Sequence, residues 1–371
     1  MQSDNIIKSD ERAIFALRSL YKRYGYSQYK MSRFEEYDLY VRNKDFLVSD
    51  EVITFTDRKG RLLALKPDVT LSIIKNTTGS EGISKLYYNE NVYRVSQGTD
   101  NFKEIMQAGL ECIGDLTPYE ISEVVLLSAK SLELISPDWV LDISHMGLIV
   151  SMLESANLSH SGKKEAFTYL NQKNGHQLRD LCEREGVSEE NTEKLLLLTT
   201  LSGKSEEVLS KLEPLMQSEE EIAYYSEFSA LFEVIRSFSL EDKVKIDFSV
   251  GNNMKYYSGV VLNGYISGIP SCVLSGGQYD RLLQKMKKSE KAIGFAIYLD
   301  LLERFEEEKE LFDVDILLLS EGADTLTLLK TAEKLSKDTS VLVSKEIPQD
   351  IKYRRLMKIT EGEVNLLEEN G

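Results

Sequence analysis

The sequence predicts an α+β fold built around an antiparallel sheet. Three observations carry that expectation. Strand-like runs come in pairs joined by short turns, as at 52–56 with 61–65 and again within 85–114. A block at about 155–240, rich in Leu, Glu, Lys and Ser, carries helical periodicity only and interrupts them. Past Val314 a single strand–helix–strand succession follows: DILLLS, ADTLTLLKTAEKLSKD, SVLVSK. The expected organisation is a core over residues 1–312 with a helical insertion at about 155–240, then a small β-α-β unit over 313–371.

Each element has its own signal. Ile14, Leu17, Leu20, Tyr21 and Tyr24 recur at the spacing of one helical face, predicting a helix over 10–25. RFEEYDLYV, 33–41, reads as a strand leading into a turn. The runs 52–56 and 61–65 form a hairpin through Asp57-Arg58-Lys59-Gly60. Pro67 breaks the strand, and Asp68 caps a helix through Ile74. Two runs then flank a polar loop at 96–103. Along the second run Met106, Ala108, Leu110 and Cys112 share one face, and Ile105, Gln107, Gly109, Glu111 and Ile113 the other. Gln107 and Glu111 with Gly109 between them read as the floor of a polar pocket whose middle is empty, with Arg94 beside it if the runs pair. The same residues also fit a hairpin with one solvated face.

Thr117-Pro118-Tyr119-Glu120 is a capping box with Pro at the first helical position, and Ile121, Val124, Val125, Ser128, Leu132 and Ile135 continue the buried face. A strand at 139–143 and a helix from about Met146 precede the insertion. Val244, Ile246, Phe248 and Val250 alternate with polar residues as a half-buried strand. GVVLNGYI and PSCVLS form a hairpin around Ser267-Gly268, and Gly276-Gly277 turns into the helix YDRLLQKM. AIGFAIYLDLLERF closes the core, and a basic segment, IKYRRLMK, ends the C-terminal unit.

Composition narrows the function classes. The 371 residues carry 45 Lys and Arg against 61 Asp and Glu, a net charge of −16, which argues against a nucleic-acid binder. Cys112, Cys182 and Cys272 are far apart, and His145, His160 and His176 lie near no carboxylate motif, so neither a metal site nor a redox pair is expected. Cys112 and Cys272 read as small buried residues. The N-terminus does not resemble a signal peptide and no apolar run reaches membrane-spanning length, so a cytoplasmic location is expected. The sequence contains no P-loop, no GxGxxG fingerprint and no recognisable Ser-His-Asp set, and no cofactor is expected.

Taken together, several segments over about 5–310 resemble the catalytic core of a class II aminoacyl-tRNA synthetase of the histidyl type. RFEEYDLYV is similar to the family's first motif, which forms a dimer interface. LALKPDVT resembles its Arg-Pro-Glu-Gly-Thr segment, where the acid and the Thr receive the amino group of histidine. VYRV with IMQAGLECIG resembles the second motif, MKYYSGVV the histidine-specific Tyr-Tyr segment, and SGGQYD the Gly-Gly-Arg-Tyr-Asp segment. By motif position, the resemblance implies that Asp68 and Thr70 hold the ligand's amino group, Arg94 and Gln107 its carboxylate and backbone side, and Glu111, Tyr256 and Tyr257 its imidazole. Each tyrosine also fits ordinary core packing.

The departures point to a silent relative. Asn252 and Lys255 stand where the family has Arg and Asp, Leu301 replaces the ATP-gripping Arg of the third motif, and Gln278 replaces another Arg. No acid follows Arg94 in Val95-Ser96-Gln97. Amino-acid activation passes through a highly anionic phosphorus centre, and one lost donor there costs about two to three orders of magnitude in rate. The pattern resembles the regulatory subunits of short-form ATP phosphoribosyltransferases. That resemblance implies no catalytic residues and no tRNA or membrane partner. It implies a homodimer through the core, a hetero-octamer with the short catalytic subunit, a role in the first step of histidine biosynthesis, and feedback inhibition by L-histidine. The rival expectation is a divergent histidyl-tRNA synthetase or a related amino-acid-activating ligase.

Overall fold

The computed structural model describes residues 9–44, 52–77, 82–95, 101–250, 256–302, 312–320, 322–337, 339–360 and 363–370. The chain divides into two compact units, one spanning Asp10–Leu302 and the other made of the residues on either side of it. The larger unit begins with α1 (Ser9–Arg23), β1 (Ser27–Gln28), β2 (Phe34–Glu36), α2 (Tyr37–Val41), β3 (Thr54–Thr56), β4 (Leu62–Leu65) and α3 (Thr70–Asn76). The long hairpin β5 (Ser84–Val95) and β6 (Phe102–Gly114) follows, then α4 (Pro118–Ile135), β7 (Trp139–His145) and α5 (Met146–Ser155). The insertion is α6 (His160–Asn171), α7 (Gly175–Glu185), α8 (Glu189–Thr200), β8 (Ser202–Gly203), α9 (Ser205–Leu212) and α10 (Glu219–Ser237). The unit closes with β9 (Val244–Asp247), β10 (Val260–Ile266), β11 (Leu274–Gln278), α11 (Asp280–Lys285) and β12 (Lys291–Tyr298).

The main sheet runs β1-β5-β6-β12-β11-β10-β7-β9-β8, and β2-β4-β3 form a small one. Its centre is antiparallel as expected, but the β1–β5 and β7–β9 pairs are parallel, so the whole sheet is mixed. Several local expectations are corrected. In RFEEYDLYV only Phe34–Glu36 is strand, and Tyr37–Val41 is helix. The strand at 244–250 stops at Asp247, whose carboxylate accepts from the Ser249 amide at 2.9 Å and turns the chain. Gly276 and Gly277 lie inside β11 instead of forming a turn. The insertion carries one short strand, β8, paired to β9. Asp68 lies one residue ahead of the helix cap at Val69, yet its Oδ1 still accepts from the Leu71 amide at 3.0 Å, and α3 runs on to Asn76.

The sheet has two unlike faces. Ala108, Leu110 and Cys112 of β6 and Phe295 and Ile297 of β12 are buried under the helices. Tyr21 of α1 bonds Ser131 of α4 at 3.0 Å and meets the Phe295 ring edge-on at 6.2 Å. The capping box at Thr117 forms as the sequence predicts. Within the insertion, Lys194 and Glu221, both buried, pair at 2.7 Å.

At the end of β7, buried His145 caps α5 through Nδ1, which accepts from the Leu148 amide at 3.1 Å, and it packs against Tyr224 and Phe228. Burial pushes this imidazole down to about 4. The unfolded chain binds a proton near pH 6.5 that the native state refuses. Stability is therefore full above that pH and is lost as pH falls from about 6.5 toward about 4. A loss of about 3 kcal/mol is expected from this residue between pH 7 and pH 4. Denaturant unfolding at the two pH values checks this, with His145→Asn expected to show a smaller acid loss.

The smaller unit contains β13 (Val314–Leu319), α12 (Thr325–Leu335), β14 (Val341–Ser344), β15 (Tyr353–Thr360) and β16 (Glu363–Glu369). The sheet order is β14-β13-β15-β16. The expected β-α-β unit is present, but the basic segment IKYRRLMK supplies a third parallel strand, and an antiparallel fourth follows it.

Candidate functional site

The face of the sheet opposite α1 and α4 carries the cavity. Its floor follows from register. β5 and β6 pair Tyr88 with Gly109 and Leu86 with Glu111. β12 and β6 pair Tyr298 with Gln107, Ala296 with Gly109 and Gly294 with Glu111. Directly paired residues share a face, so this register brings Gln107, Glu111, Gly294 and Tyr298 to one side. A cavity of about 460 Å³ opens there, and all seven residues expected from the sequence line it: Asp68, Thr70, Arg94, Gln107, Glu111, Tyr256 and Tyr257. The middle of the floor is not empty, however. A Cβ at Gly109 would lie 2.5 Å from the Tyr88 hydroxyl, so the glycine makes room for that ring.

Glu111 is the chemical centre. It is 2% exposed, Thr70 Oγ1 donates to its Oε1 at 2.7 Å, and the Tyr279 hydroxyl donates to its Oε2. Desolvation pushes its carboxyl up to about 8, against the pull of those two hydroxyls. Tyrosines surround it: Tyr88 and Tyr279 are fully buried, and Tyr256 packs 4.8 Å from Tyr257 and 5.9 Å from Tyr279 between ring centroids. Gly294 leaves space for the carboxylate, because a Cβ there would fall 1.8 Å from Glu111 Oε2. A carboxyl poised between charge states inside aromatic walls suits a ligand that brings a proton or a delocalised cation, such as imidazole.

The other end is built from the strand break at Pro67. The Lys66 carbonyl accepts from the Tyr93 amide at 2.9 Å, and the Pro67 carbonyl from Arg94 Nε at 3.1 Å. Lys66, 1% exposed, pairs with Glu90 below the loop. These bonds set Asp68 and Arg94 at one wall. Burial raises the Asp68 carboxyl, and the Arg94 charge opposes the shift. A carboxylate beside a guanidinium matches the ammonium and carboxylate of an amino acid.

Two departures have structural explanations. Gln278 does not line the cavity: it is buried, and its Oε1 accepts from the Val260 amide at 2.7 Å in space left by Gly259. Leu301 packs against the main core instead of lining the cavity. Asn252, Lys255, Ser96 and Gln97 lie outside the described residues. Among the described residues no cluster of three or more His, Cys, Asp or Glu could hold a metal ion.

Sequence reasoning missed Tyr88, Tyr279, Tyr298, Gly294 and Cys272, all of which line the cavity. Tyr279 was within reach, since it belongs to the SGGQYD segment. Cys272 was expected as a buried strand residue, yet it lies in the connection before β11 and is only partly buried.

A family model described as histidyl-tRNA synthetase matches residues 6–302. The ATP phosphoribosyltransferase regulatory subunit of Caldanaerobacter subterraneus subsp. tengcongensis is 30% identical over 291 residues, covering 76% of this chain and 75% of that protein. Among solved structures, an ATP phosphoribosyltransferase regulatory subunit/histidyl-tRNA synthetase from Bacillus halodurans C is similar with a TM-score of 0.74 at 24% identity, over 91% of this chain and 88% of that one. The ATP phosphoribosyl transferase (HisG:HisZ) complex from Thermotoga maritima contains a chain with a TM-score of 0.62 at 17% identity, over 78% of this chain and 97% of that one. Both structural likenesses are likenesses of fold, and that fold is the class II synthetase type. The chain belongs to the histidyl-tRNA synthetase family and, within it, to the ATP phosphoribosyltransferase regulatory subunits.

Proposed function

We propose that this chain is a non-catalytic regulatory subunit, which holds L-histidine in the Glu111 pocket and assembles with a short-form ATP phosphoribosyltransferase catalytic subunit in the cytoplasm. One contrast carries the reading. The amino-acid end of the cavity retains its carboxylates, Arg94 and tyrosines, whereas Gln278 is tied to backbone and Leu301 to the core. Nothing at those two positions offers a cation to a phosphate, and amino-acid activation depends on such donors. In this reading the assembly is a hetero-octamer, the synthetase-like core makes a homodimer, and tRNA is not a ligand.

The test is histidine-dependent exchange of pyrophosphate into ATP by the pure protein. None is expected above background. Exchange at a rate typical of a synthetase overturns the non-catalytic reading and favours the ligase. Co-purification with a short catalytic subunit at micromolar concentration is the companion measurement, and two separate peaks on a sizing column contradict the assembly.

A further inference from the structure

Glu111 takes its two hydroxyl partners from two short helices. Thr70 is the first residue of α3, and Tyr279 is the residue that leads into α11. The two helices share a small core in which Ile73 and Ile74 of α3 lie with Tyr279, Leu282 and Leu283. The far end of α3 has carbonyls without helical partners, as every helix C-terminus does. Thr77 Oγ1 caps the Ile73 carbonyl locally, and Asn76 and Tyr29 donate to the Ser72 carbonyl, but from the α11 side it is Lys288 that reaches this end. Lys288 Nζ donates to the Ile74 carbonyl and, at 3.0 Å, to the Thr77 carbonyl.

The backbone after α11 is shaped to deliver that lysine. The Lys288 amide donates to the Leu283 carbonyl at 2.9 Å, and Lys287 before it takes a left-handed conformation at φ +60°. A lysine pays for that conformation where glycine would not. The turn closes the C-terminal end of α11, and the Lys288 ammonium meets the negative end of α3. Glu290 is the acidic neighbour, and burial pulls the Lys288 ammonium down.

We infer that Lys288 is a positioning residue for the pocket: it fastens the far end of α3 to the turn after α11 and so fixes the spacing of Thr70 and Tyr279 about Glu111. Lys288 does not line the cavity. Its effect on a ligand passes through Glu111, and only that consequence rests on the histidine reading.

The experiment is an NMR titration of isotope-labelled glutamate carboxyl carbons in the full-length free protein, with the Glu111 signal assigned by its loss in Glu111→Gln. Both hydroxyl bonds pull the Glu111 carboxyl down, so loosening them moves its midpoint up. Lys288→Met is expected to raise that midpoint by about one pH unit, and Lys288→Arg to restore the wild-type value. An unchanged midpoint in folded Lys288→Met overturns the inference even if its melting temperature drops. Should Lys288→Met fail to fold, Lys288→Gln is judged by the same shift. The readout needs no ligand. A wild-type protein that fails to bind histidine therefore removes the pocket reading and leaves this result standing on its own.

Discussion

Replacing Glu111 with glutamine is expected to weaken histidine binding by about two to three orders of magnitude while leaving the fold intact, because the carboxyl that would share the imidazole's proton is removed. Glutamine keeps the volume and still accepts from Thr70, but it cannot hold a proton for an imidazole. The pH dependence is the sharper signature. Free histidine titrates near 6.5, and the Glu111 carboxyl has been pushed up to about 8. If the pocket holds histidine as proposed, the two are expected to share one proton in the complex. Below about 6.5 both partners arrive protonated and one proton must leave, whereas above about 8 neither holds one and it must be taken up. Affinity is therefore expected to be highest between these limits and to fall toward tenfold per pH unit outside them. Calorimetry across pH checks the profile. A flat profile in the wild type contradicts the shared proton.

Stability is expected to move the other way. The Glu111 carboxyl is raised in the folded state, so between its unfolded and folded values the native protein binds the extra proton. Stability then falls as pH rises through that window and stays low above about 8. Glu111→Gln removes the titration. The variant is expected to resist denaturant better than the wild type at pH 9, a difference of a few kcal/mol in order of magnitude. Loss of binding with gain of stability separates a functional carboxyl from a structural one.

Gly294→Ala is expected to abolish histidine binding and also to destabilise the fold, by about 1–3 kcal/mol. The added methyl would sit 1.8 Å from Glu111 Oε2 and 2.5 Å from the Leu110 carbonyl. The carboxylate has two bonds to lose in moving aside, and the carbonyl belongs to the neighbouring strand. Calorimetric titration and denaturant midpoints measure the two effects. Wild-type binding in this variant removes Gly294 from the pocket.

Much of this was legible in the sequence. The faces of β6, the Thr117 capping box and the break at Pro67 are local patterns of period, cap and ring, and local patterns survive into the fold. What failed was long-range or conditional. Tyr88 fills the space over Gly109 only once β5 and β6 adopt their register, and no local signal fixes that register. The tail of RFEEYDLYV is apolar and aromatic enough for a strand, but the chain there coils into a single short helix whose Tyr40 is buried in the smaller core. Gly276 and Gly277 carried turn chemistry into a strand because the backbone there runs close to its neighbours: a Cβ on Gly276 would meet the Gly294 carbonyl at 2.3 Å. The seven pocket residues came from motif order, since their partners lie up to 168 positions apart in the chain, as Tyr279 does from Glu111.

In the proposed reading, the pocket holds an amino acid as a signal instead of activating it. The most direct measurement is phosphoribosyltransferase activity of a short catalytic subunit, with and without this chain, across a histidine titration. Adding the chain is expected to raise activity, histidine to suppress it, and the Glu111→Gln assembly to stay active while its inhibition curve moves at least tenfold higher in histidine. Activity indifferent to the chain, or inhibition unmoved by Glu111→Gln, would contradict that reading.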